Sequence, residues 1–146
     1  ANSYLLGCAT AGMHISVAGP ANYLPAHGVV AHAEAIAAKT GGSVSVYGEP
    51  TAAIMDADVV VTDTWISMGQ ESEKEQRMQD FAGYTVDANL MKRAKSNAIF
   101  MHCLPAYRGY EVSAEVIDGP QSVIWDEAEN RLHAQKALMS WLSQQV

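Results

Sequence analysis

The sequence predicts an α/β fold in which a mostly parallel sheet of about five strands carries helices on both faces. Short segments rich in apolar and β-branched residues alternate along the chain with longer segments of helical periodicity. The segment 59–63 begins as a continuous apolar run, which is typical of a strand buried on both faces of a parallel sheet. Together these observations indicate βαβ units in a three-layer, Rossmann-like sandwich.

Five strands are predicted in chain order, with helices between them. The strands cover residues 14–18, 43–47, 59–63, 98–102 and 122–125. Residues 43–47 alternate between serine and larger side chains, which is the two-residue period of a strand. Helices are predicted at 2–11, 26–39, 50–56, 70–80 and 88–95, at a short segment capped by Ser113, and from 127 to the end. Gly12 and the Gly41-Gly42 pair end the first two helices.

Length and composition favour one domain over residues 1–146. Of the 146 residues, 49% are hydrophobic, which is enough for a core, and 17% are charged, below the roughly 25% usual in globular domains. The net charge of −7 argues against binding to nucleic acid or to an anionic membrane. No apolar run approaches the roughly 18 residues of a membrane span. Cys8 and Cys103 lack the spacing of a disulfide framework, so a cytoplasmic setting is expected.

An acid and a hydroxyl follow the central strand. Asp63 closes the strand, Ser67 lies in the loop that follows, and Gly69 allows the chain to turn. In open parallel sheets, ligands bind where strands end and loops begin. A carboxylate at this place can hold an ammonium group, and the Ser67 hydroxyl with the backbone of Met68 can hold a polar head group. The alternative is that Asp63 and Ser67 cap the next helix or its turn.

An imidazole and a thiol follow the strand at 98–102, at the same predicted edge of the sheet. Side by side, His102 and Cys103 suggest nucleophilic or proton-transfer chemistry. Adjacent residues of a strand point to opposite faces, however, so the two are not expected to act on each other as nucleophile and base. The alternative is a buried cysteine beside a hydrogen-bonded core histidine.

A guanidinium near the start of the last helix is a third candidate. Arg131 could bind an anion or a carbonyl oxygen. The alternative is a surface ion pair with Glu127, one turn earlier. Dinucleotide-binding, P-loop, zinc-protease and hydrolase motifs are absent from the sequence, and no group of histidines has metal-ligand spacing.

Three segments taken together resemble ornithine carbamoyltransferase. They are residues 63–70 (DTWISMGQ), 101–105 (MHCLP) and 127–131 (EAENR). The resemblance covers essentially the whole chain but only the second half of the enzyme, which binds ornithine. It implies that a carbamoyl-phosphate domain, with its Ser-x-Arg-Thr loop, precedes Ala1. It also implies that the family's first strand in this half, which carries an Asn-Asn pair, is missing. We therefore expect a fragment of a two-domain enzyme.

The resemblance also assigns roles to six residues. Those that would bind L-ornithine are Asp63, Ser67 and Met68, and those that would contact carbamoyl phosphate are Cys103, Leu104 and Arg131. The catalytic set would be Asp63, Cys103 and Arg131, with the Cys103 sulfur as proton acceptor for the δ-amine. The family resemblance further implies a cis bond between Leu104 and Pro105, no metal or organic cofactor, and a homotrimer for the intact enzyme.

The implied reaction is attack of the neutral δ-amine on the carbonyl of carbamoyl phosphate, giving citrulline and phosphate. The amine arrives protonated, so a carboxylate must aim it, a thiolate can take its proton, and a guanidinium can stabilise the carbonyl oxygen. Other readings are a carbamoyltransferase for putrescine, N-acetylornithine or aspartate, and a non-enzymatic amino-acid-binding module. The loop at 67–69 favours ornithine, because a free amino-acid head group needs such a polar loop.

The last helix supports a missing partner domain. Its apolar stripe comprises Ala134, Ala137, Leu138, Trp141 and Leu142. In the family this helix crosses back to the first domain, so alone the stripe must pack elsewhere or stay exposed. The missing strand leaves unpaired backbone inside the sheet. We therefore expect that a separate chain supplies that strand or that the sheet is rearranged, and that the chain alone is inactive.

Overall fold

The computed structural model describes residues 1–67 and 69–145. The chain divides into two compact units, Ala1–Met55 and Asp56–Val146. Each unit contains one pair of parallel strands with helices packed against it. The α/β class with parallel strands is therefore confirmed, whereas a single domain over residues 1–146 stays a prediction.

The first unit begins with a helix and contains two strands. Its elements are α1 (Asn2–Thr10), β1 (His14–Ala18), α2 (His27–Thr40), β2 (Ser43–Tyr47) and α3 (Pro50–Ala53), with a 3₁₀ turn at Ala21–Tyr23. The strands pair in parallel, from His14 opposite Ser43 to Ala18 opposite Tyr47. Both strands have the bounds predicted from the sequence.

Small side chains let α1 and α2 approach each other in this unit. The core residues are Leu5, Ala9, Ala33 and Ala37, with Ile15, Val17 and Val44 of the strands packed against them. Ala33 and Ala37 are one helical turn apart, so they form a flat patch on α2. Thr40, at the end of α2, donates from Oγ1 to the Ala9 carbonyl oxygen over 2.6 Å. That bond fixes the end of α2 against α1.

Two glycines are required where α1 turns into β1 beside the end of α2. Gly12 has a φ of 72°, and a Cβ at this position would lie 2.8 Å from the Thr40 carbonyl oxygen. A Cβ at Gly42 would overlap the Met13 carbonyl oxygen. Side chains other than hydrogen are therefore excluded at both positions unless the backbone moves.

We expect Gly12→Ala to lower the unfolding free energy of the 146-residue protein by about 1–3 kcal/mol, because alanine is strained at positive φ. Gly7→Ala is the matched control, since Gly7 lies inside α1 and no atom lies within 4 Å of its Cβ position. Alanine there should raise the unfolding free energy by roughly 0.5–1 kcal/mol. Urea unfolding measures both changes, and the same sign for both would contradict the strain at Gly12.

The second unit contains the other two strands and the longest helix. Its elements are β3 (Val59–Thr62), a 3₁₀ turn (Glu71–Glu73), α4 (Lys74–Asp80), α5 (Ala88–Met91), β4 (Ile99–His102), α6 (Ala114–Ile117) and α7 (Ile124–Ser143). The strands pair in parallel, from Val59 opposite Ile99 to Thr62 opposite His102. Phe100, Ile117 and Ile124 are among its most deeply buried side chains.

The predicted fifth strand is wrong. Within residues 1–67 and 69–145 the structure has four strands, paired as β1 with β2 and β3 with β4. In the segment 122–125, Ser122 forms only an isolated bridge with Phe100, and α7 begins at Ile124. Asp126 and Glu127 occupy the first turn of α7, where acidic side chains complement the helix dipole. Helix formation therefore overrides the short apolar run that predicted a strand.

The last helix is largely exposed. Within α7 only Ile124 is buried, whereas Trp125 is 70% exposed and Trp141 is 57% exposed. Leu138 and Leu142 of the predicted apolar stripe are also exposed. The stripe thus has no cover in the described chain. Within that part of the chain, no helix combines the length and apolar character that crossing a membrane requires.

Candidate active site

The carboxyl ends of β3 and β4 bring an acid and a thiol together. Because Thr62 lies opposite His102 in the parallel pair, the residues that follow them, Asp63 and Cys103, leave the sheet side by side. The Cys103 thiol donates a hydrogen bond to Oδ1 of Asp63 over 3.4 Å. The expectation that the two side chains converge on one edge is confirmed.

The same carboxylate keeps one oxygen unused. Oδ1 of Asp63 accepts from the Thr64 backbone N–H over 2.8 Å as well as from the Cys103 thiol. Among the described residues, Oδ2 accepts no hydrogen bond, and the side chain is exposed. An N–H donor of a ligand could therefore bind Asp63 without displacing the backbone contact.

The Cys103 thiol holds its proton more tightly than an ordinary cysteine. Partial burial, then the charge of Asp63 and the hydrogen bond to it, and then the charge of Glu127 all raise the pKa of this thiol, against a backbone hydrogen bond that lowers it. The ligand-free site therefore holds a neutral thiol at neutral pH. A cation placed between the sulfur and the carboxylate would act in the opposite direction and favour the thiolate.

We expect Asp63→Asn to make Cys103 alkylate faster with iodoacetamide at pH 8, because removal of the negative charge lowers the pKa of the thiol and only the thiolate reacts. Peptide mass spectrometry of the 146-residue protein reports both cysteines in one sample. Cys8 lies in the other unit and serves as the internal control. Unchanged or slower alkylation of Cys103 would contradict the electrostatic effect of Asp63.

The neighbouring histidine is a buried structural group. His102 is 1% exposed, its Nδ1 accepts from the Leu104 backbone N–H over 2.9 Å, and its Nε2 lies 3.1 Å from Oε1 of Glu111. Since Nδ1 accepts, the ring proton sits on Nε2 and is donated to Glu111. The alternative interpretation of this pair was a buried cysteine beside a hydrogen-bonded core histidine. The histidine part is confirmed, whereas the cysteine part is wrong, because Cys103 is exposed.

The turn after β4 is held at both of its ends. The Leu104–Pro105 peptide bond is cis, as the family resemblance implies, and Leu104 has a φ of 55°. Buried Glu111 accepts from the Tyr107 backbone N–H over 2.7 Å, which ties the turn to the His102 side chain. Further along, Arg108 forms two hydrogen bonds to Asp118, of 2.8 and 2.6 Å. Cys103 therefore begins a turn whose conformation is held by these hydrogen bonds.

The loop after β3 is anchored at its base and exposed at its tip. Trp65 is buried and stacks on Phe81, with the ring centroids 5.4 Å apart, and its carbonyl oxygen accepts from Arg77 over 3.1 Å. At the tip, the Gln70 backbone N–H donates to the carbonyl oxygen of exposed Ser67 over 3.0 Å. Ser67 is therefore exposed to solvent in a loop whose base is held by the contacts of Trp65.

Neither Asp63 nor Ser67 caps α4, the helix that follows this loop, although Ser67 does form a turn with Gln70. The N-cap residue of α4 is Glu73, and no side chain caps that helix. Asp63 bonds instead to Thr64 and Cys103, and the Ser67 backbone N–H receives the Gln70 side chain at 3.3 Å. Met68, predicted to bind ornithine through its backbone, lies outside the described residues.

The third predicted site residue stands apart from the first two. Arg131 is exposed on α7. The alternative role for Arg131 was a surface ion pair with Glu127, and no such pair is present among the described residues. Within the same residues, Arg131 forms no hydrogen bond to Asp63 or Cys103. The surface-pair interpretation is therefore wrong, and a role in carbamoyl phosphate binding stays a prediction.

Two acidic residues near the site were not predicted from the sequence. Glu111 supports the turn after β4, and Glu127 places a negative charge near the Cys103 sulfur. The Oε2 atom of Glu127 is buried and has no hydrogen-bond partner among the described residues. The sequence signals for Glu127 are its place in the segment 127–131, which carries the family resemblance, and its place in the first turn of α7. Nothing in the sequence marks Glu111.

Comparison with known proteins decides the family. A family model described as the Asp/Orn binding domain of aspartate/ornithine carbamoyltransferase matches residues 1–142. The chain belongs to this carbamoyltransferase family. Ornithine carbamoyltransferase from Clavibacter sepedonicus is 63% identical over 145 residues, which are 99% of this chain and 47% of that protein. The chain thus spans about half the length of the curated relatives that it matches.

Solved structures of carbamoyltransferases have the same fold. Ornithine carbamoyltransferase from Pyrococcus furiosus matches with a TM-score of 0.90 and 48% identity, over 95% of this chain and 44% of that one. Anabolic ornithine carbamoyltransferase from Campylobacter jejuni subsp. jejuni matches with a TM-score of 0.92 and 43% identity, over 99% of this chain and 48% of that one. The Rossmann-like α/β fold and the resemblance found in the sequence are both confirmed.

Proposed function

We propose that this chain is the ornithine-binding half of an ornithine carbamoyltransferase, which transfers the carbamoyl group of carbamoyl phosphate to the δ-amine of L-ornithine. The products are citrulline and phosphate. The observation that carries the proposal is the contact between the Cys103 thiol and the Asp63 carboxylate at the end of two paired strands. It supplies both an acceptor for an ammonium group and a group that can take its proton.

The amine must be bound as a cation and then deprotonated. An alkylammonium group has a pKa of about 10.4, so at neutral pH ornithine arrives charged. Its N–H groups can bind the unused Oδ2 of Asp63. The positive charge lowers the pKa of the Cys103 thiol, which releases its proton to solvent. The resulting thiolate then accepts one proton from the ammonium group and leaves a neutral amine as nucleophile. Asp63 and Cys103 thus act in sequence on the same substrate, while Ser67 and Met68 hold its amino-acid head group.

The second substrate needs groups from both sides of the reacting carbonyl. Cys103, Leu104 and Arg131 are the residues of this chain that contact carbamoyl phosphate in the proposal, with Arg131 stabilising the negative charge that develops on the carbonyl oxygen. Arg131 is exposed and unpaired among the described residues, so its guanidinium is available. Holding two substrates in register can lower the barrier by roughly 7–11 kcal/mol, which requires the other domain.

The exposed face of α7 supports a covering domain. Leu138, Trp141 and Leu142 lie on one face of α7 and are exposed without a partner in the described chain. Proteins rarely leave such a set of large apolar side chains in water. The intact enzyme in our proposal therefore has an N-terminal carbamoyl-phosphate domain that packs on α7. We further propose a cytoplasmic homotrimer that serves arginine biosynthesis.

The test is citrulline formation by the full-length protein that contains this chain. With carbamoyl phosphate present, L-ornithine should be used at least tenfold faster than putrescine, N-acetylornithine or aspartate at equal concentration. The 146-residue chain alone should form no citrulline above background. A full-length protein that prefers another amine, or an isolated chain with full activity, would refute the proposal.

A further inference from the structure

We propose that Arg77 is a positioning residue for ornithine, which holds the loop after β3 in the conformation that places Ser67 against the amino-acid head group of the substrate. The inference rests on the function proposed above, in which Ser67 holds that head group. It adds a residue that determines affinity without touching the substrate. It is carried by a closed ring of hydrogen bonds that begins and ends at the Arg77 side chain.

The Arg77 side chain joins the two ends of this loop. From α4, its Nη1 donates to the Trp65 carbonyl oxygen over 3.1 Å, and its Nε donates to Oε2 of Glu73 over 2.9 Å. Trp65 precedes Ser67 in the chain and Glu73 follows it, so one guanidinium holds the chain on both sides of Ser67. Only 15% of the Arg77 side chain is exposed. A charged group shielded to this degree needs partners for its N–H donors, and the loop supplies them.

Hydrogen bonds within the loop close the ring through Ser67. The Glu73 backbone N–H donates to the Gln70 carbonyl oxygen over 3.0 Å, and the Gln70 backbone N–H donates to the Ser67 carbonyl oxygen over 3.0 Å. The Gln70 side chain returns the contact, since its Oε1 accepts from the Ser67 backbone N–H over 3.3 Å. Both polar groups of the Ser67 backbone are therefore held inside the loop, whereas the residue itself is exposed. Its side chain is the part left to face a ligand.

Arg77 acts on one end of the proposed substrate and not on the other. The δ-amine end belongs to Asp63 and Cys103, which contact each other directly at the ends of β3 and β4 without Arg77. The base of the loop also has an anchor of its own, the stacking of Trp65 on Phe81. Loss of Arg77 should therefore loosen the loop around Ser67 while the reacting groups stay in place. Because only the ordered loop binds the head group, affinity falls by the fraction of molecules in which the loop is ordered.

The experiment uses the full-length enzyme with Arg77→Gln, Arg77→Lys and the matched control Arg93→Gln, since Arg93 is an exposed arginine of the same unit. Steady-state kinetics give kcat and KM for both substrates, and competitive inhibition by norvaline, which is ornithine without the δ-amine, reports on the head group alone. We expect Arg77→Gln to raise KM for ornithine and the inhibition constant of norvaline together, about 5- to 50-fold, as for a lost hydrogen bond to a charged group. Arg77→Lys should be intermediate, because lysine keeps the charge but not the planar fork of donors. Arg93→Gln should match wild type.

The split between binding and turnover separates the possible outcomes. In Arg77→Gln, kcat at saturating ornithine and KM for carbamoyl phosphate should stay within about twofold of wild type, because a group that only aids binding leaves turnover unchanged. A comparable loss in kcat or in carbamoyl phosphate binding would overturn the inference, since Arg77 would then support the whole fold. Weaker ornithine binding with an unchanged norvaline constant, or an unchanged KM for ornithine, would also overturn it. A wild-type enzyme that forms no citrulline would instead refute the proposed function itself, so the two failures are distinguishable.

Discussion

Replacing Cys103 by serine in the full-length protein is expected to lower kcat by about 10²- to 10⁴-fold, the usual contribution of a positioned general base. Serine keeps the size of the side chain and can still donate to Asp63, but a hydroxyl does not form the anion that takes the proton from the amine. The pH profile of kcat should lose the limb that belongs to the thiol. Citrulline assays at saturating substrates from pH 6 to 10 measure both effects.

Cys8→Ser is the matched control for this substitution. Cys8 is the other cysteine of the chain and lies in the first unit, whereas β3 and β4 belong to the second. It should leave kcat within twofold of wild type. If Cys103→Ser retained full activity with an unchanged pH profile, another group would have to accept the proton, and the role assigned to the thiol would be wrong.

Replacing Glu111 by leucine is expected to destabilise the 146-residue protein by about 2–6 kcal/mol. The side chain is 0% exposed, and its Oε1 accepts from both the Tyr107 backbone N–H and the His102 ring. Leucine fills similar space but leaves two donors unsatisfied, the buried His102 ring and the partly buried Tyr107 N–H, and each costs up to about 1–3 kcal/mol. Urea unfolding followed by tryptophan fluorescence measures the change.

Glu115→Leu provides the comparison, because Glu115 lies nearby on α6 and is exposed. It should change the unfolding free energy by less than about 0.5 kcal/mol, as is usual for surface positions. A small effect at Glu111 would mean that the two donors find other acceptors. The turn that carries Cys103 would then not depend on the buried pair of His102 and Glu111.

The strand positions, and the sheet edge at which Asp63 and Cys103 meet, could be predicted from the sequence. The apolar run at 59–63 and the alternation at 43–47 are local signals, and the structure places β3 and β2 there. The convergence of Asp63 and Cys103 also followed from the sequence, because parallel neighbours bring their carboxyl ends to one side. Those features depend on short-range pattern and on one general rule of sheet geometry.

Features that depend on long-range burial could not be predicted in the same way. Glu111 reads as a surface acid in the sequence, and only the packed structure shows that it lies against His102. The segment 122–125 has the composition of a strand, but a single bridge to Phe100 does not hold it extended against helix formation from Ile124. The shielding of Glu127 from solvent could not be predicted either, because it depends on how α7 starts beside β4.

The register between β3 and β4 has a further consequence for how this chain tolerates change. Thr62 lies opposite His102, and it is this alignment alone that sets Cys103 beside Asp63. A slip by one residue would interchange the outward sulfur and the inward imidazole, because successive side chains of a strand alternate. Insertions and deletions in the surface turn between α4 and α5 should therefore be tolerated, whereas a single added residue within either strand should abolish function.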